Sequence, residues 1–223
     1  MEVHFSFDIN PLLFKKNPEE SAIGRQIVGN SIELIHELGI ENFTFKKLAS
    51  KIQHTEATIY RYFENKQMLL LYLVNWYWHY LDVLIDFKLQ NLTDPKQKLE
   101  EVIAVLSQSL KNTQLTSYYN LEAMFHIVIK EGNKVYLNSN VKEINKIQVY
   151  KPFKDLCEKL SLLFREYNPD YEFPHSLAST LIEVSHLQIF FSDNLPKLTD
   201  VNPTNKYNYI QRFLTTLIFK SLK

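Results

Sequence analysis

The run Thr55-Glu56-Ala57-Thr58-Ile59-Tyr60-Arg61-Tyr62-Phe63-Glu64-Asn65-Lys66 gathers hydroxyls, a phenol, a guanidinium and an ammonium in a short space. Such groups suit phosphate oxygens and the polar edges of bases. Ile59 and Phe63 stand four apart, so on a helix both face inward and leave Ala57, Thr58 and Arg61 on other sides. Just upstream, Phe43-Thr44-Phe45-Lys46-Lys47-Leu48-Ala49 reads as the start of another short helix. Thr44 is its N-cap, and Phe45, Leu48, Ala49 and Ile52 form its apolar face. Residues 44–66 carry five cations against two acids, whereas 1–43 carry three against seven. Net charge is zero, so the basic excess is local and falls on these two helices. A nucleic-acid backbone is the partner this pattern fits, with a merely solvated basic face as the alternative.

The surrounding elements have to hold that surface in place. Ile23, Ile27, Ser31, Leu34, Ile35 and Leu38 recur at steps of three and four, which predicts a first helix over about 19–38 with one buried stripe. Gly39 is suited to end it. Three compactly joined helices then make a helix-turn-helix unit whose third member would lie in the major groove. From Lys66 to about Lys88 apolar residues go nearly all round, the mark of a helix central in a bundle. Further helices are expected near 96–112, 118–131, 139–167, 173–192 and 204–221, separated by turns such as Asn91–Pro95, Asn168-Pro169-Asp170 and Leu195–Pro203. The expected fold class is all-α: an arm (1–18), a three-helix helix-turn-helix domain (19–66), and a larger helical bundle for ligand binding and dimerisation (67–223). In the arm alone, Val3, Phe5, Phe7 and Ile9 alternate with His4, Ser6 and Asp8, suggesting an extended segment or a frayed terminus.

Composition narrows the function classes. With 45% hydrophobic and 13% aromatic residues, 223 residues can bury a substantial core in one domain or two. No run reaches the roughly 18 uninterrupted apolar residues of a membrane span, and Met1-Glu2-Val3-His4 does not begin a secretory signal. A cytoplasmic setting with no membrane partner is expected. Cys157, the single cysteine, is expected as a reduced packing residue. The chain shows no glycine-rich phosphate loop, zinc-type cysteine cluster or serine nucleophile motif, so no catalytic residue, metal or cofactor is expected. Glu33-Leu34-Ile35-His36 and Glu183-Val184-Ser185-His186 have the Glu-x-x-His spacing of di-iron bundles. The first pair sits in the first helix of the helix-turn-helix unit, with no preceding helix to supply its partner glutamate. A di-iron enzyme and a helical interaction protein without DNA binding remain as rival readings.

Residues from about 19 to 75 resemble the DNA-binding domain of the TetR family of bacterial transcription regulators. The likeness rests on Gly39, Phe43-Thr44 with Leu48-Ala49, Thr58-Ile59-Tyr60-Arg61-Tyr62-Phe63, and Asn65-Lys66 before Leu69-Leu70. It implies that Thr44, Tyr60 and Lys66 contact phosphates. Lys46, Thr55, Glu56, Ala57, Thr58 and Arg61 are then the candidates for base-edge or mixed contacts, where a bidentate Arg or a Glu is worth about 1–3 kcal/mol of discrimination. Tyr62 and Phe63 belong to the core. Where the family usually has glycine in the turn followed by an apolar residue, this chain has Gln53 and His54. A positive backbone angle is expected at Gln53, and His54 is expected to be half-buried packing, with a phosphate contact as the alternative.

The resemblance further implies a regulator, repressing more often than activating, in which a small-molecule effector alters the hold on a double-stranded operator. It also implies a homodimer. Leu177, Leu181, Val184, Leu187 and Phe191, together with Ile210, Phe213, Leu214, Leu217 and Ile218, form two stripes that could make a four-helix interface or internal core. For an effector pocket the candidate polar groups are Tyr118, Tyr119, His126, His186 and Gln188, with Trp76, Trp78 and Phe125 as walls.

Overall fold

Ser21 opens the first helix, α1 (Ala22–Asn42), because its side-chain oxygen accepts the Gly24 N–H at 3.1 Å, satisfying a donor that a helix start otherwise leaves free. Ile27, Val28, Ser31, Ile32, Leu34 and Ile35 form its buried stripe. At Gly39 the backbone swings to φ 73° and ψ 158°, a conformation that glycine reaches without a Cβ penalty, and Ile40–Asn42 continue past the kink. Thr44 caps α2 (Phe45–Lys51) by accepting the Lys47 N–H at 3.2 Å. The short α3 (Glu56–Tyr60) and the long α4 (Lys66–Leu89) follow. By length and composition α4 could cross a membrane, yet 78% of its apolar window is buried inside the protein. It is a core helix, as its all-round apolarity predicts.

The remaining helices are α5 (Pro95–Leu106), α6 (Leu121–Tyr136), α7 (Val141–Lys146), α8 (Lys151–Tyr167), α9 (Pro174–Asn194) and α10 (Lys206–Ser221). This computed structural model describes residues 7–108, 118–136 and 141–223, apart from the side chains of Asn133, Tyr136 and Pro203. Among the described residues every regular element is helical.

The helices fall into two compact units. The first comprises the described parts of Met1–His79 and Leu110–Lys151, where α1 packs on α2 and α6. The second comprises those of Tyr80–Ser109 and Pro152–Lys223, where α5, α9 and α10 pack on one another. In the second unit Lys159 holds Asp82 at 2.6 Å and Asp86 at 2.7 Å, two acids one helical turn apart. Cys157 is half-buried on α8, and burial, aided by the charge of Glu183, pushes its thiol up to about 11.

Two expectations need correction. The helix expected over 139–167 is two helices: α7 stops at Lys146, Gln148 takes φ 57°, and α8 begins at Lys151. The break lets Val149 and Tyr150 turn inward, where the Tyr150 hydroxyl donates to the Val135 carbonyl at 2.7 Å. The helix expected over 96–112 ends at Leu106, while residues 109–112 lie outside the described residues. The extended segment expected over Val3–Ile9 lies mostly outside the described residues, and beyond it the chain forms two 3-10 turns, Pro11–Leu13 and Pro18–Glu20. Each is capped by an asparagine ahead of a proline: Asn10 accepts the Leu12 N–H at 3.0 Å, and Asn17 the Glu19 N–H at 3.1 Å. Buried Ile9 and Leu13 anchor the segment.

The second of these turns lies hard against α1. A Cβ added to Gly24 would come within 2.3 Å of the Pro18 carbonyl oxygen. Gly24→Ala should therefore force the Pro18–Glu19 backbone off α1 and cost about 1–3 kcal/mol of stability, measured by urea unfolding; an unchanged midpoint would mean the turn yields freely.

Candidate nucleic-acid interface

Two buried anchors aim α3. Ile59 and Phe63 are fully buried, and the Ile59 carbonyl accepts the N–H groups of both Tyr62 and Phe63, at 2.8 and 3.0 Å, closing the end of the helix. Phe63 meets Tyr72 of α4 edge to face at 5.4 Å. Opposite these anchors, Thr55, Glu56, Ala57, Tyr60 and Arg61 are exposed and Thr58 is half-exposed. Tyr60, 46% exposed, rests edge-on against Phe45 of α2 at 5.0 Å. The Thr55 hydroxyl meets that of Thr58 at 3.2 Å rather than capping a backbone N–H. With its first N–H groups uncapped by Thr55 and its outward side chains polar, this end of α3 suits phosphate oxygens and base edges.

The turn between α2 and α3 is tight. The His54 N–H donates to the Ala49 carbonyl at 3.0 Å and the Gln53 N–H to the Ser50 carbonyl at 3.3 Å. Gln53 sits at φ 57°, the left-handed conformation that glycine would take at least cost. His54 is exposed rather than half-buried packing, because the turn places Ile52 inward and the next residues outward.

On the α2 side, Thr44 and Lys46 are exposed. Lys66 is half-exposed and partly engaged: its ammonium donates to the carbonyls of Ile40 at 2.9 Å and Glu41 at 3.2 Å, holding the end of α1 to the start of α4. One of its three hydrogens is left for a phosphate. Lys15 and Lys16, outside the candidate set, are also exposed beside this surface. The Lys15 N–H donates to the Tyr62 carbonyl at 2.7 Å, and the Lys16 ammonium lies 5.6 Å from the centre of the Tyr62 ring. Adjacent lysines just ahead of the α1 cap were the signal for them, obscured because the first 43 residues are acidic in sum.

The candidate effector residues divide. In the first unit Trp76 is buried between Phe7 at 5.0 Å and Tyr119 at 5.4 Å. Phe125 and Trp78 are buried, and Trp78 packs on Tyr77 at 4.9 Å. His126 is half-buried beside His36 at 5.5 Å between ring centres. Tyr118 is 61% exposed and so walls no enclosed cavity. In the second unit His186 is buried, and burial holds its imidazole down to about 4. Also in the second unit, an open groove of about 560 Å³ is lined by Leu89, Leu92, Lys98, Lys159 and Leu162, and none of the candidate ligand residues reaches it. Among the described residues no three His, Cys, Asp or Glu side chains converge as a metal set.

A short anchored helix behind a capped partner, in a chain whose described regular elements are all helical, has the arrangement of a helix-turn-helix unit. Residues 27–73 match the sequence model of the bacterial regulatory proteins of the tetR family. The match covers the helix-turn-helix segment and the start of α4. No relative was found by sequence among curated proteins. Solved structures share the fold. AibR in complex with isovaleryl coenzyme A and operator DNA is 14% identical with a TM-score of 0.62, covering 87% of this chain and 98% of its own. FadR from Bacillus subtilis in complex with stearoyl-CoA is 16% identical with a TM-score of 0.61, covering 88% and 97%. A transcriptional regulator from Saccharomonospora viridis in complex with choline is 15% identical with a TM-score of 0.64, covering 89% and 97%.

Two outcomes follow for this chain. Gln53→Gly should raise stability by up to about 1 kcal/mol, seen as a higher unfolding midpoint; a loss would show that the Gln53 side chain holds the turn. For His186, the folded chain resists a proton that the unfolded chain takes below about 6.5, so stability falls as pH drops from about 6.5 toward 4. His186→Gln should flatten that part of the pH profile relative to the parent protein, and an unaltered slope would assign the effect to other groups.

Proposed function

We propose that this protein is a repressor that binds a palindromic operator as a two-fold dimer and is released by a small-molecule effector. The observation that carries the DNA-binding half is the orientation of α3: Ile59 and Phe63 are buried while Thr55, Glu56, Ala57, Tyr60 and Arg61 face outward. In this reading Thr44, Tyr60 and Lys66 hold phosphates, joined by Lys15 and Lys16. Lys46, Thr55, Glu56, Ala57, Thr58 and Arg61 meet base edges or the adjacent backbone. Two copies would place their α3 helices about one DNA turn apart, roughly 34–36 Å.

Functionally, residues 1–18 serve as the arm, 19–66 as the DNA-binding domain and 67–223 as the effector and dimerisation part. The two expected interface stripes narrow on inspection. Leu177, Leu181, Ile210, Leu214 and Ile218 are core of their own unit. Val184, Leu187, Phe191 and Leu217 are half-exposed and Phe213 is exposed, which leaves them to face a partner. The resemblance to AibR and FadR, bound to coenzyme A thioesters, makes acyl-coenzyme A the first effector class to try. An effector acts by binding the DNA-incompetent state more tightly, typically by about 1–3 kcal/mol.

Selection of genomic fragments by the purified protein should return a palindromic site. On that site Arg61→Ala should change the preferred base at one position of each half-site, at a cost of about 1–3 kcal/mol. Lys15→Ala and Lys16→Ala should weaken binding to all sequences and lower the salt slope by about one each. Fluorescence anisotropy across a salt series reads both effects. No enriched site, with no response to any of these substitutions, would defeat the proposal; isovaleryl- and stearoyl-coenzyme A, added to the bound complex, test release.

A further inference from the structure

Glu19 places a carboxylate where burial makes one costly. It lies in the 3-10 turn ahead of α1 and is only 7% exposed. One oxygen, Oε1, accepts hydrogen bonds from two phenols: Tyr72 on α4 at 2.8 Å, and Tyr119, just before α6, at 2.8 Å. Hydrogen bonds to a buried carboxylate are among the stronger ones a protein makes, and they offset its desolvation. Burial and then the Glu19 charge push both phenols up, so they stay protonated donors throughout the physiological range. The Glu19 backbone carbonyl in addition accepts Arg25 Nη1 at 2.5 Å.

Each participant is fixed from a second side. The turn cannot settle closer to α1, since Gly24 already presses on Pro18. The Tyr119 ring stands edge-on to Trp76 at 5.4 Å. Two residues past Glu19, the Ser21 hydroxyl meets the Tyr62 hydroxyl at 2.8 Å, and Tyr62 follows directly on Arg61 at the end of α3. An unbroken set of short contacts therefore runs from the entry of α6 through Glu19 and Ser21 to the recognition helix, all within the first unit.

We infer that Glu19 is a positioning residue for DNA binding: by clasping Tyr72 and Tyr119 it fixes the turn that sets α1 and α3, so the place of Tyr119 is registered at the recognition helix. This rests on the DNA-binding function proposed above. It names a route through buried side chains that touch no DNA.

The test uses the full chain and its selected operator, with Tyr119→Phe, which deletes one hydroxyl and keeps the ring, and Glu19→Gln, which keeps the shape and removes the charge. Hydrogen exchange read by mass spectrometry should quicken in 18–25 and 58–63 in both variants and stay unchanged in α9 and α10. Operator affinity should fall about tenfold, the size expected for losing a hydrogen bond to a charged group. Affinity for random-sequence DNA at low salt should stay within about twofold, because phosphate attraction needs no exact aim. The double variant should be no worse than the weaker single variant. Unchanged exchange in 18–25 and 58–63 would overturn the inference, as would equal losses on operator and random DNA, or an operator affinity that does not fall. If the parent protein selects no site at all, the DNA-binding proposal fails on that result, while the exchange data still decide whether Tyr119 and Glu19 brace α3.

Discussion

A helix of five residues has no stability of its own, because the first hydrogen-bonded turn fixes several residues for very little return. α3 exists only because Ile59 and Phe63 are drawn into the core and the Ile59 carbonyl gathers the two N–H groups that follow it. Its outward face is thus a by-product of packing on the inward one. The floor beneath it is Tyr72 of α4 and the apolar side of α2, and α1 holds that floor together. A change that loosens any of these would re-aim the polar face without touching it.

This dependence explains what could be read from residues alone. Caps and i, i+4 pairs are local, so Thr44, the α2–α3 turn and the inward pair Ile59 and Phe63 were all visible. Even the positive angle at Gln53 was legible, as the penalty taken where glycine was expected. The break between α7 and α8 was legible but passed over. Its signal was Pro152, which a helix tolerates only in its first turn and which stands second in α8, and the break it makes also lets Val149 and Tyr150 be buried. In the arm, the Asn-Pro pairs at 10–11 and 17–18 carry capped turns, a signal separate from the apolar alternation over 3–9, most of which lies outside the described residues.

The site was legible in its residue types and less so in their engagement. Sequence assigns Lys66 a charge near DNA; only coordinates show two of its donors tied to the end of α1. Those hydrogen bonds serve the fold. The effector side was the least legible, since aromatic and imidazole groups within apolar helices look alike whether they meet a ligand or one another. Trp76 meets Phe7 and Tyr119, and the stripes of α9 and α10 are half core and half surface, a distinction that a three-four repeat cannot encode.

The state of Cys157 has a practical side. A thiol held up to about 11 is almost wholly protonated near neutrality, and only the thiolate is an effective nucleophile. The chain is consequently a quiet background for maleimide and spin-label chemistry. A single cysteine introduced on the outer face of α3 would carry a reporter almost selectively, giving a spectroscopic view of that helix without first stripping the native sulfur from α8.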